Sequence, residues 1–167
     1  MDEVGRGAPA GPVHVGLVIL ERDTGRAPGG VRDSKLLTAA ARRRLAPAIE
    51  GWAAACAVGS AGPVVVDALG VTGALRLAGL RALAAVGEVP DVVILDGNHD
   101  WLTGVDCASR VVTRIKADRT CTSVAAASIL AKVARDAVMV ALSADHPAYG
   151  WDANKGCLLY TSDAADE

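Results

Sequence analysis

The chain has 167 residues, 51% of them apolar and 22% charged, with a formal net charge of −2 and no phenylalanine. This length suits one domain with a single sizeable core, and no apolar run is expected to reach the ~20 residues of a membrane helix. The acidic start lacks a signal-peptide pattern, and Cys56, Cys107, Cys121 and Cys157 have no metal-knuckle spacing, so they read as reduced thiols of a cytoplasmic protein.

In chain order, the adjacent carboxylates Asp2 and Glu3 come first, directly before the glycine-flanked arginine of Gly5-Arg6-Gly7. Acids bind hard divalent cations, and glycines let a backbone approach a phosphate or sugar. The stretch from Pro12 to Leu20 reads as a strand, which puts the two acids at the start of a sheet. Side chains alternate on a regular strand, so Asp2 and Glu3 need a bend to reach one metal, and the glycine-arginine-glycine turn can provide it. Gly25 to Gly30 reads as a turn into a second short strand. Thr38 then caps a helix through Ala39 to Leu45, Ala53 to Ser60 forms a third strand, and Val71 to Val86 forms an amphipathic helix.

Two further strands end in acids. Val92-Val-Ile-Leu95 has the β-branched, continuously apolar pattern of a buried strand. Asp96 follows at its C-terminal edge, where open α/β sheets place ligands. A run from Val111 to Ile115 leads to Lys116-Ala-Asp118, and a helix from about Val124 to Ser143 follows. On that helix Ile129, Val133, Ala137 and Val140 make an apolar stripe, while Ser128, Lys132, Arg135 and Asp136 lie on another side. The pattern predicts an α/β fold, a mixed sheet flanked by helices. No nucleophile lies near His14, His99 or His146 in a triad-like pattern, and His and Cys spacing does not suit zinc.

The ordered set Asp2-Glu3-Val-Gly-Arg-Gly7 with Ala10-Gly-Pro-Val13, Asp33-Ser-Lys-Leu36, Ile94-Leu-Asp-Gly97, Lys116-Ala-Asp118, Ser123 through Asp136, and His146-Pro-Ala-Tyr-Gly150 through Asn154-Lys-Gly156 resembles the type 2 ribonucleases H, the ribonuclease HII family. The resemblance implies a ribonuclease H-like catalytic domain over residues 1–156. It implies Asp2, Glu3, Asp96 and Asp118 as catalytic ligands of two Mg²⁺ or Mn²⁺ ions, with Asp136 as a lesser outer candidate. It further implies that Gly5, Arg6 and Gly7 contact a ribonucleotide's 2′-OH, the group that tells RNA from DNA, with Lys35 and Lys132 also on the substrate. The expected substrates are RNA–DNA hybrids and duplex DNA with embedded ribonucleotides, cut 5′ of the ribonucleotide to leave 3′-OH and 5′-phosphate ends, by a monomer that binds no membrane. The rival readings are another two-metal nuclease on the same fold and an inactive hybrid-binding fragment.

The ends depart from the family pattern. An apolar strand segment is expected before the acid pair, where only Met1 stands, and the family's sugar-stacking tyrosine after Lys-Gly is Cys157 here. Residues 157–167 are therefore expected to be a non-native tail on a chain truncated at both ends, and Tyr160 is given no stacking role. That segment carries three acids and no base, and without it 17 basic residues face 16 acidic ones. Arg110, Arg114, Lys116, Arg119, Lys132 and Arg135 crowd around Asp118 in sequence, as a phosphate-binding face would require.

Overall fold

The computed structural model describes residues 1–104 and 106–157. Strand β2 (Val13–Ile19) lies at the centre, with β1 (Asp2–Val4) antiparallel on one side and β3 (Ala55–Ala61) antiparallel on the other. Strands β4 (Val92–Asp96) and β5 (Arg110–Arg114) form a parallel pair. Met1 joins the two sets: its amino group donates to the Ile94 carbonyl at 2.7 Å, and the Asp96 N–H donates to the Met1 carbonyl at 3.2 Å. That alternation is the parallel ladder pattern, so β4 lies beside β1 and the strand order is β3-β2-β1-β4-β5.

Period-two alternation along β2 builds two cores. Val13, Val15 and Leu17 pack with Leu75, Ala78 and Ala82 of α2 (Pro63–Val86). Val18, on the opposite face, packs with Leu45 and Ile49 of α1 (Ala39–Trp52) and with Ala126, Ile129 and Leu130 of α4 (Thr122–Asp145). With no phenylalanine to fill space, the helices close in on the sheet backbone. A Cβ at Gly16 would lie 2.2 Å from the Ala127 carbonyl oxygen of α4, and one at Gly59 would lie 1.9 Å from the Ala78 oxygen of α2. A glycine on each face is what permits these approaches.

The expected second short strand after Gly30 does not form. The Asp33 carboxylate accepts from the Lys35 N–H at 2.9 Å and caps a 3₁₀ turn over Ser34–Leu36, a local bond that competes with strand pairing. The short strand is instead β1. Thr38 does cap α1, its Oγ1 accepting from the Ala41 N–H at 3.2 Å, but the helix runs on to Trp52.

Helix α2 begins at Pro63 rather than Val71 and kinks at Gly70, where φ is 69° and ψ 167°. Among the described residues α2 is the one helix long and apolar enough, by length and composition, to cross a membrane, although Asp67, Arg76 and Arg81 interrupt it. Its second half packs on β2 and β3 through Ala74, Leu75, Ala78, Gly79 and Ala82. Two short helices complete the described chain, α3 (Ala117–Thr120) before α4 and α5 (Trp151–Asn154) after it. Most of the expected tail, residues 158–167, lies outside the described residues.

Candidate active site

Three acids meet where the two strand sets join. Asp96 ends β4, and one of its carboxylate oxygens, Oδ1, accepts from the Ala117 N–H at 2.7 Å. It thereby ties down the start of α3, the turn that carries Asp118. The reversal between β5 and α3 is made at Lys116, which adopts left-handed backbone with φ 58°. Asp2 arrives from β1, pinned beside Asp96 by the Met1 bonds, and its Oδ1 accepts from the Glu3 N–H at 2.8 Å. Asp2, Asp96 and Asp118 each offer an oxygen within 4.8 Å of the others.

Glu3 stands apart from this trio. Strand β1 stays regular through Val4, with Asp2 opposite Gly16 and Glu3 opposite Val15, so the two side chains leave on opposite faces. The bend expected from the glycine turn comes after the strand, at Gly5 with φ 93°, and Glu3 stays near enough for its charge to act on Asp2 and for Asp96 to act on it. One Glu3 oxygen pairs with Arg6 at 3.3 Å, and the other is buried with no partner among the described residues.

Crowded acids perturb one another. Burial pushes the Asp2 carboxyl up to about 7, with Glu3 and Asp96 adding repulsion. Burial also raises Glu3, partly offset by Arg6, and raises Asp118, to which Asp96 and Asp33 add. Lys35 and Arg119 pull Asp118 back down. The Met1 amino group, fully enclosed, falls to about 6 despite its acidic neighbours. A tight all-oxygen set held against its own repulsion suits hard divalent cations such as Mg²⁺ or Mn²⁺, and the partnerless Glu3 oxygen is a fourth donor left over by the fold.

The expected substrate residues surround this point. Gly5, Arg6 and Gly7 form the loop directly after β1, with Arg6 about half exposed. Lys35 is exposed on the 3₁₀ turn, which docks on α4 where the Ser34 N–H donates to Ser128 Oγ at 3.2 Å. Lys132 lines a groove of ≈ 630 Å³ together with Gly5, Gly7, Arg42, Asn154 and Lys155. Its Nζ is taken by Asp136 at 2.6 Å, and Arg42 reaches Asp136 from the other side at 3.5 Å. Asp136 is thus an ion-pair centre on the groove wall and not a member of the acidic trio.

Arg135 departs from the expected phosphate face: it is 2% exposed and turned inward. Asp33 was legible as part of a motif but not as a buried neighbour of the site. It is 1% exposed, faces Arg119 at 3.5 Å, and repels Asp118. Only the docking of its turn on α4 brings it there.

The whole chain, residues 1–167, matches the family described as ribonuclease HII. The chain belongs to the ribonuclease HII family. It is 50% identical over 158 residues to a ribonuclease HII of Streptomyces avermitilis and 45% identical over 156 residues to one of Nitrosococcus oceani. These alignments take in 93% of this chain, and 65% and 75% of those proteins. The chain thus spans 65% of the length of the Streptomyces relative.

Among solved structures it resembles ribonuclease H2 from Pyrococcus horikoshii, with a TM-score of 0.70 and 26% identity over 87% of this chain and 74% of that one. It also resembles the ribonuclease HIII called Bst-RNase HIII, solved in complex with Mn²⁺, with a TM-score of 0.61 and 25% identity over 86% of this chain and 53% of that one. The mixed sheet flanked by helices is therefore the ribonuclease H-like arrangement expected from the sequence.

Proposed function

We propose that this chain carries the catalytic site of a divalent-metal-dependent endoribonuclease. Its substrates would be the RNA strand of RNA–DNA hybrids and single ribonucleotides embedded in duplex DNA, cut on the 5′ side to leave 3′-OH and 5′-phosphate ends. The observation that carries this reading is the convergence of Asp2, Asp96 and Asp118 within 4.8 Å, a few residues from a glycine-rich turn on the rim of a groove. Family membership supports it.

In this reading Asp2, Glu3, Asp96 and Asp118 would hold two divalent ions, Mg²⁺ or Mn²⁺. When bound, such ions activate water and stabilise the departing oxygen of an in-line displacement. The chain's own residues do the rest. The Asp2 carboxylate accepts from the Glu3 N–H and the Asp96 carboxylate from the Ala117 N–H, while Met1 ties β1 to β4, so the acids are aimed before substrate arrives. Glu3, near enough for its charge to act on Asp2 and for Asp96 to act on it, would add a carboxylate beside the set, with Arg6 paired to it at the rim. Gly5 to Gly7 present backbone N–H groups to the 2′-OH. Lys35 contacts a phosphate, and Lys132 does so while anchored by Asp136.

The decisive experiment is cleavage of duplex DNA carrying one ribonucleotide, beside an all-DNA duplex, an RNA–DNA hybrid and a metal-free control. Metal-dependent cutting of the hybrid and at the ribonucleotide, with the all-DNA duplex intact, is expected. Cutting of all-DNA duplex at a similar rate would replace this reading with a general two-metal nuclease. Binding without cutting would leave a hybrid-binding fragment.

A further inference from the structure

Arg135 sits in the middle of α4 with almost no solvent contact, and among the described residues no carboxylate pairs with it. Its guanidinium is spent on backbone carbonyls from two distant segments. Nε donates to the Pro12 oxygen, Nη2 to the Ala10 oxygen and Nη1 to the Lys155 oxygen, each at 2.9 Å. Ala10 and Pro12 belong to the loop that begins with Gly5-Arg6-Gly7. Lys155 belongs to the segment that forms the far wall of the groove.

The packing around this side chain admits no bulk. A Cβ on Gly5 would lie 2.5 Å from Arg135 Nε, and one on Gly11 would lie 2.3 Å from Sδ of Met139, one helical turn along α4. A Cβ on Gly156 would lie 2.7 Å from the Ala10 oxygen and 2.9 Å from Met139 Cε. All three glycines have positive φ. Two loops that are about 145 residues apart in sequence thus touch each other and one ridge of α4, with Arg135 bonded to both.

We propose that Arg135 is a positioning residue that holds the Gly5–Gly7 turn and the Lys155–Gly156 segment in one register, so that the two walls of the groove are set together. A planar guanidinium with five N–H donors can reach three carbonyls at once, whereas a lysine ammonium is a single point on a flexible stem. The consequence for catalysis rests on the function proposed above. A turn that slips relative to Asp2 misplaces the ribose while leaving phosphate contacts made elsewhere, so kcat falls and KM does not.

The test uses Arg135→Lys and Gly156→Ala in the full chain, the second pressing on Ala10 with Arg135 intact. Backbone hydrogen–deuterium exchange over residues 5–12 and 150–157 should quicken together by roughly tenfold in either variant, because about one charge-assisted hydrogen bond's worth of local stability is lost. Exchange in β3 and α1 should not change. Unchanged exchange, quickening of one segment alone, or uniform quickening of the whole chain would overturn the clamp. On the ribonucleotide-containing duplex, Arg135→Lys should lower kcat by roughly tenfold or more with KM nearly unchanged. A rise in KM at constant kcat would overturn the catalytic consequence. A parent chain that cuts nothing would instead sink the proposed function and leave exchange to decide the clamp.

Discussion

Asp96 does two jobs with one carboxylate. Oδ1 holds the Ala117 N–H, and the carboxylate charge helps to form the trio. Asp96→Asn keeps an oxygen for the amide but removes the charge, so the fold should persist while cleavage drops roughly a hundredfold or more. Rates on the ribonucleotide-containing duplex, with hybrid binding measured in parallel, check this. A variant as fast as its parent would remove Asp96 from the site.

Asp2 adds a pH signature. Its folded value near 7 lies above the ordinary 3.8, so the metal-free fold holds a proton that the unfolded chain releases. That contribution is complete below about pH 4 and is lost as pH rises toward 7. Metal-free Asp2→Asn should therefore match its parent near pH 4 and exceed it increasingly up to pH 7, reaching a few kcal/mol. The Met1 amine acts with the opposite sign, its stability contribution rising between about 6 and its ordinary 8, but it is present in both proteins. Denaturant midpoints of the two across this range test the claim, and parallel curves would refute it.

At the level of elements, the glycines that let helices touch strands are the weak points. Gly16 lies opposite Asp2 on β1 and directly beneath Ala127 of α4. Gly16→Ala forces backbone against backbone and should cost about 1–3 kcal/mol, and it should also impair metal binding by shifting α4 against β1. Ser128→Ala is a counterpart that leaves the strand backbone untouched. It leaves the Ser34 N–H without its partner on α4 and should cost about 1–3 kcal/mol as an unmet buried donor, loosening the turn that presents Lys35. Urea denaturation and metal titration separate the two: both effects are expected for Gly16→Ala, and stability alone for Ser128→Ala.

Across the whole molecule, the site is a seam. Asp2 belongs to the antiparallel set and Asp96 and Asp118 to the parallel pair and its sequel, with Met1 as the stitch between them. Cations held by all three acids fasten the two sets together, so Mg²⁺ or Mn²⁺ should raise the melting temperature of the entire fold. At ten times the dissociation constant the gain is roughly 1.4 kcal/mol. Asp118→Asn should raise the metal-free melting temperature by relieving repulsion and should abolish the metal response. A melting temperature indifferent to metal would argue against binding at the seam.

Local patterns were enough to read β2, β4, α1 and α4, because period-two and helical apolar spacing depend only on near neighbours. Asp96 and Asp118 were legible for the same reason: each follows a β-rich run. Membership of the ribonuclease HII family was legible in the order of short motifs. What only the tertiary structure decided are relations between distant segments. Glu3 lies beside the trio rather than in it because strand pairing with Val15 sets its starting face. Arg135 and Asp136, adjacent in sequence on the polar side of α4, part ways because loops at residues 10–12 and 155 cover one while Arg42 and Lys132 claim the other. A charged side chain carries no local mark of whether a backbone carbonyl, a carboxylate or solvent will meet it, since that partner arrives from elsewhere in the fold.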